Sequence, residues 1–382
     1  MARREGWWFF ANRVVGDGVE TLAAADLPLS SPNVTTTLSG TDEVAFDLTP
    51  EIVRMKASDG RPVLRPRATS VYAVLDGVIR GGGLVRSVTA DGPTARVSCL
   101  GYVSILDQMP WTSAQTKKLY GWDPADVVRY LWQFTQTHPH GNLAVRVSPG
   151  VRTPVRVGRR VAEVKDRSGN VTVQGVDEPL LLANYATHDL ARTFEEMLEV
   201  GSLDFRERHV LDGDTVTHHL DLGYPRLGRR RTDIAFQVGV NVTDVPTVVF
   251  DDEDYATEVL VLGAGEGEKM PRAHAYVTGH GAMVRRVATI VQKGTGRQAT
   301  AEASALMHSK RLRPDIGDVD VLRVAPHPLA PMGSWENGDE VWLSGDSLWG
   351  GQLGMWVRVL STTYTPQEWG GATLKVVRAD RV

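Results

Sequence analysis

Short runs rich in valine, leucine, threonine and aromatic residues recur along the chain, and most stop at glycine, aspartate or asparagine. Branched and aromatic side chains suit a pleated, half-buried surface, while glycine and aspartate tolerate the positive φ of tight hairpins. With 38 glycines and 20 prolines in 382 residues, this punctuation leaves little room for long helices and points to strands joined by turns. Trp7 to Val15, the turn Gly16-Asp17-Gly18 and Val19 to Leu22 read as a first hairpin. Val34 to Ser39 and Glu43 to Leu48 read as a second around Gly40, and Ser70 to Leu75 with Val78 to Val88 as a third across Asp76-Gly77. The third carries consecutive glycines Gly81, Gly82 and Gly83, and Arg96 to Leu100 continues its sheet.

Fewer segments carry helical spacing. The clearest is Asp123 to Thr137: Asp123 is placed to cap, Pro124 to open, and Val127, Val128, Leu131, Trp132 and Phe134 recur at roughly helical spacing. His188 to Val200 repeats the pattern with Leu190, Phe194, Met197 and Leu198. A short helix from Pro50 to Lys56 behind Thr49, and another from Gly296 to Lys310 presenting Ala299, Ala303, Leu306 and Lys310, complete the expected set. Further strands fall at Leu143–Val147, Val171–Val176, Leu203–His209, Val216–Leu222, Thr257–Leu262 and Ala273–Gly279. A last trio is Glu340–Ser344, Met355–Tyr364 and Ala372–Val377. No repeat of about 20–50 residues marks a solenoid or propeller. The expected class is α+β and β-rich, antiparallel units with a few helices packed on them.

An apolar fraction of 42% and a charged fraction of 23% suit a soluble globular chain, and a length prior of ~150 residues per domain suggests two or three domains. The net charge of -4 argues against a protein that coats nucleic acid. No apolar run reaches the ~18–20 residues of a membrane span. The aromatic start, Trp7 to Phe10, is followed at once by Asn12, Arg13, Asp17 and Glu20, so no signal peptide and no stable membrane insertion are expected, and synthesis is placed in the cytoplasm. The single cysteine, Cys99, has no disulfide partner and sits in an apolar run, as a small core residue would.

No motif carries catalysis, a cofactor or a metal. The run Glu258-Val-Leu-Val-Leu-Gly-Ala-Gly-Glu-Gly-Glu-Lys269 approaches a phosphate-binding loop, but Glu268 stands where either nucleotide fingerprint needs glycine, and Met270-Pro271 opposes a following helix. His138 and His140 flank Pro139, and the neighbours His218 and His219 point to opposite faces of a strand, so neither pair forms a zinc set. Asp251 to Asp254 lacks the spacing of a calcium loop and reads as a solvated acidic turn. Glu195 and Glu196 read as the wet face of a helix, and no nucleophile elbow is present. Two features read as interfaces. One is Arg226, Arg229, Arg230 and Arg231 in a loop from Gly223 to Arg231. The other is the C-terminal tryptophans, Trp349 and Trp369 foremost, since tryptophan and arginine are enriched where proteins meet.

An ordered succession of segments resembles one family. It runs Ala24-Ala-Asp-Leu-Pro-Leu29, Thr37-Leu-Ser-Gly40, Thr49-Pro-Glu-Ile-Val53, Asp59-Gly-Arg-Pro-Val-Leu64, then Tyr72 into Asp76-Gly-Val-Ile-Arg-Gly-Gly-Gly83. It continues through Gly101-Tyr102, Met109-Pro110, Asp123-Pro124, Thr187-His-Asp-Leu190, Leu220-Asp-Leu-Gly-Tyr-Pro-Arg-Leu-Gly-Arg-Arg-Arg231 and Glu258 to Gly267. This order resembles the minor tail proteins that form the tail hub of long-tailed actinobacteriophages. The resemblance covers most of the chain and is weakest across residues 150–180. It implies a virion protein of the tail tip with two small antiparallel β-barrel-like hub domains and additional mixed α/β domains. The implied segments are 1–115, 116–240 and 241–382. It also implies a homotrimer that presents six similar positions to a six-fold tail tube. Its implied partners are a distal tail protein, a tape measure and other minor tail proteins, with DNA passing through. A tail-borne cell-wall hydrolase and a carbohydrate- or receptor-binding module are the alternative readings.

Overall fold

The computed structural model describes residues 5–107, 109–158, 162–165, 171–174, 178–185, 190–246, 248–249, 256–263, 267, 270–277, 284–291, 298–312, 318–348, 351–367 and 370–381. The chain divides into two compact units, residues 1–227 with 363–369, and residues 228–362 with 370–382.

The first unit opens with β1 (Trp7–Val14), β2 (Glu20–Ala24), β3 (Ser30–Thr37), β4 (Glu43–Leu48), α1 (Pro50–Val53), β5 (Thr69–Leu75), β6 (Val78–Asp91) and β7 (Thr94–Leu100). The strands pair antiparallel in the order β3-β4-β7-β6-β5-β1-β2, an open path rather than a ring among the described residues. The three expected hairpins are all present. The glycines of β6 have separate reasons. A Cβ on Gly81 would meet Val34 at 2.5 Å, one on Gly82 would meet Tyr72 at 2.5 Å, and one on Gly83 would meet the carbonyl of Leu100 at 2.5 Å. β6 therefore crosses its neighbours where only a bare backbone fits. The helix expected to reach Lys56 stops at Val53, and Thr49 makes no side-chain cap bond. The Asp59-Gly60 turn takes the chain away instead, and Val63 N–H bonds the Met55 carbonyl at 2.9 Å.

The unit continues with β8 (Lys117–Leu119), α2 (Pro124–Thr137), β9 (Val145–Val147), β10 (Ala162–Lys165), β11 (Val171–Gln174), β12 (Leu180–Leu182), α3 (Leu190–Gly201), β13 (Asp204–Asp212) and β14 (Thr215–Gly223). α2 has the predicted start: Asp123 accepts the Ala125 N–H at 2.9 Å and Pro124 fills the first turn. Its buried face, Val127, Val128, Leu131 and Trp132, meets Phe194 and Met197 of α3 and Phe205 and Leu220 of the β13–β14 hairpin in one core. Burying that stripe, more than helix propensity, holds so short a helix.

The second unit holds β15 (Arg230–Gln237), β16 (Val248–Val249), β17 (Glu258–Leu262), β18 (Arg272–Tyr276), β19 (Val287–Val291), α4 (Gln298–Arg311), β20 (Asp318–Val319), β21 (Val321–Val324), β22 (Glu340–Asp346), β23 (Gln352–Tyr364) and β24 (Ala372–Arg378). Its main sheet runs β15-β22-β23-β24-β21, with β15 parallel to β22. A second sheet, β18-β17-β19, packs Val259, Val261 and Ala273 against Ala301 and Ala305 of α4. Leu306, expected within the helical pattern, is 56% exposed. The packed face is made of alanine and serine, which lets helix and sheet approach closely, and the leucine turns outward. The glycine-rich run that approaches a phosphate loop leads from β17 into an antiparallel return, closed by Gly263 N–H to the Pro271 carbonyl at 2.7 Å. No described helix is long and apolar enough to cross a membrane.

Candidate functional site

The four candidate arginines have different roles. Arg226, Arg229 and Arg230 are exposed and Arg231 is buried. Arg230 and Arg231 were expected in a loop, but they begin β15, in register with Glu340 and Val341. Charge conceals a strand whose end is salt-bridged, because arginine in a sequence resembles a solvated loop residue. Arg231 grips Asp233 with both ends of its guanidinium, at 2.8 and 2.6 Å, and also reaches Asp339 at 3.2 Å and the Ser334 carbonyl at 2.5 Å. Its hydrogen bond to Asp233 raises Arg231 above its ordinary value and holds the Asp233 carboxyl down at about 2. Asp339 completes the node by accepting the backbone N–H groups of Arg229 and Glu336. Gly228 enters it at φ +87°, where a Cβ would lie 2.1 Å from the Gly338 carbonyl. Arg231 is therefore an internal anchor, while Arg226 and Arg229 present their side chains outward.

Arg230 bonds Glu340 at 2.9 Å and lies 4.6 Å over the Trp356 ring. Trp356 faces Trp342 across β22–β23, ring to ring at 5.5 Å, and Trp342 is 37% exposed. An exposed Trp–Trp–Arg patch is the composition of interface anchors. Trp349 and Trp369, the tryptophans expected at an interface, lie outside the described residues, as do Asp251 to Asp254. Trp335 is core, buried against Phe236.

A second cluster was missed in the sequence. Glu20 on β2 turns inward and accepts hydrogen bonds from Tyr72 at 2.8 Å, Tyr102 at 2.6 Å and Asn12 at 2.9 Å. His218 stands 3.4 Å from the same carboxylate, and its other ring nitrogen meets His209 at 2.9 Å. Burial works against the Glu20 charge, yet His218, Tyr102 and Asn12 outweigh it and hold the carboxyl at about 2. Burial first, then His218, push His209 down to about 3, and burial raises both tyrosines well above their ordinary value. Tyr72, Tyr102, His209 and His218 are all buried, so the reactive atoms face one another rather than a substrate. The signal available was strand phase: His218 alternates with buried Val216, Leu220 and Leu222, whereas its neighbour His219 turns to the other face.

The remaining residues weighed for chemistry sit in ordinary places. Cys99 is fully buried, with its thiol pushed up by burial. His138 bonds the Phe134 carbonyl at the end of α2, and Glu195 and Glu196 are exposed on α3. Among the described residues no three His, Cys, Asp or Glu side chains gather as a metal set.

No protein-family model matches the sequence, and no curated protein matches it. Solved structures do match, over nearly the whole chain. The 43 kDa tail protein of prophage MuSo2 from Shewanella oneidensis aligns with a TM-score of 0.60 at 13% identity, covering 99% of each chain. Prophage tail protein gp18 from Listeria monocytogenes aligns at 0.55 and 12%, covering 96% of this chain and 94% of that one. The tail protein from Neisseria meningitidis aligns at 0.55 and 13%, covering 98% and 96%. From end to end, both units included, the chain has the β-rich α+β fold of these tail proteins.

Proposed function

We propose that this chain is a non-catalytic structural component of a bacteriophage tail, and within it the hub at the tail tip. The observation that carries the reading is the two-way coverage of tail proteins from three bacterial sources, at 94–99% of their own lengths. The likeness extends over whole chains rather than over one borrowed domain. The ordered segments from Ala24 to Gly267 favour the hub of a long-tailed phage. As a hub the chain would close as a homotrimer under the tail tube, join the tube to the distal tip, and serve host attachment and DNA delivery in the virion. Its partners would be a distal tail protein, a tape measure and other minor tail proteins. Symmetric closure of this kind needs interface anchors more than an active site.

Arg226 and Arg229, with the Trp342–Trp356–Arg230 patch, are the surfaces we assign to neighbouring tail proteins. Charge reversal separates this role from folding, provided that Arg231 is left in place to keep its Asp233–Asp339 node. The variant Arg229→Glu is expected to melt within about 2 °C of wild type, as exposed substitutions do, yet to be depleted at least about tenfold from assembled particles. Normal incorporation of that variant would remove Arg229 from the interface.

A further inference from the structure

The start of α2 borders an open cleft of about 490 Å³, lined by Trp122, Asp126, Tyr130, Gln133, Arg152 and Arg156 among others. Neither the hub reading nor any resemblance calls for it. Its size lies within the ~300–1,000 Å³ of small-molecule sites. The floor is rigid: Arg129 is fixed to Asp126 at 2.8 Å and to the carbonyls of Ser148 and Val151 at 2.7 and 2.8 Å. Buried Asp123 receives the Thr153 N–H at 2.8 Å and Arg156 at 3.2 Å.

The charges in the cleft do not balance. Among the described residues that line it, Arg129, Arg152 and Arg156 stand against two acids, Asp123 and Asp126. Arg152 is tied to Asp126, and Arg156 to Asp123 and to the Thr153 and Val155 carbonyls, each arginine through a single terminal nitrogen, Nη1. Their remaining guanidinium nitrogens have no protein partner among the described residues, and neither have the Trp122 indole N–H, the Tyr130 hydroxyl or the Gln133 amide. Trp122 and Tyr130 meet edge to face at 5.5 Å, and Lys117 lies 5.7 Å from the Tyr130 ring centre. The cleft thus pairs aromatic walls with a surplus of hydrogen-bond donors and positive charge. An acceptor-rich ring with one negative group complements all three: the ring lies against the aromatics and the oxyanion takes the open arginine forks.

We propose that this cleft binds an anionic sugar, a single ring unit bearing a carboxylate or a phosphate. The test titrates the whole protein with glucuronate, glucose 6-phosphate, glucose and inorganic phosphate, followed by ligand-observed NMR and calorimetry. At least one anionic sugar is expected to bind about tenfold or more tightly than glucose. Whichever of the two binds identifies the anion, and added salt weakens it. Arg152→Gln, at an exposed position outside the core, is expected to keep its melting temperature and lose about tenfold in affinity. Gln133→Ala is a second variant free of ion pairs, expected to bind more weakly. Equal binding of glucose, no binding of either anion, inorganic phosphate matching the sugar phosphate, or an acidic peptide competing as well as the sugar would each overturn the assignment. So would unchanged binding by a folded Arg152→Gln protein.

Discussion

Glu20 stands on a strand whose neighbours Val19 and Leu22 face solvent, yet its carboxylate is enclosed by Tyr72, Tyr102 and His218. Its partners lie 52 and 82 residues away for the tyrosines, so no local pattern could join them; the β2–β1–β5 pairing brings in Tyr72, and Tyr102 arrives on the turn after β7. The node makes stability depend on pH with a definite sign. His209 falls from its ordinary 6.5 to about 3 in the fold. Its contribution is complete above the unfolded value and is lost as pH drops from there toward 3. Glu20 falls from 4.5 to about 2, so its contribution is lost over that lower window. Asp42 and Glu207 act oppositely. Burial raises both, and the neighbouring Glu207 raises Asp42 further, so their contribution is present at acid pH and lost as pH rises through the folded values. Between about pH 7.5 and 4.5, His209→Gln should therefore lose less stability than wild type, by about 1–3 kcal/mol in urea unfolding. Parallel pH slopes for the two proteins would contradict this role of His209.

At the scale of elements, legibility followed how local the cause is. α2 was readable from end to end because cap, opening proline and apolar face all lie within its own sequence. The three hairpins were readable for the same reason. α1 was overextended because the turn that ends it is set by pairing with residues beyond Asp59. The start of β15 was hidden because arginine looks solvated until Asp233, Asp339 and Glu340 are seen beside it. Asp123 shows what a cap gains when tertiary partners join it: it serves Ala125, Thr153 and Arg156 at once while buried. An exposed cap is worth about 1 kcal/mol, but removing Asp123 also strands buried donors, so Asp123→Ala should cost about 2–4 kcal/mol. Asp123→Asn keeps one acceptor oxygen and turns the other into an N–H donor that faces the Ala125 or Thr153 N–H, so it should recover only part of that loss. Denaturant midpoints of the two variants check the order, and equal losses would show that a single remaining acceptor stabilises nothing.

For the whole molecule, identities of 12–13% coexist with coverage of 94–99%. The shared fold therefore does not depend on most side-chain identities. The residues proposed for the interface are the least legible part of the candidate site. Surface arginines and tryptophans carry no periodic constraint, and only their neighbours separate an anchor such as Arg231 from an outward residue such as Arg229. The central claim is that the chain is built into a phage tail as its hub. A cryo-electron microscopy reconstruction of particles carrying this chain with a small tag tests it most directly. Three tagged copies around the axis directly below the tail tube are expected. Density elsewhere on the particle, a different copy number at the tip, or particles that lack the protein would contradict it.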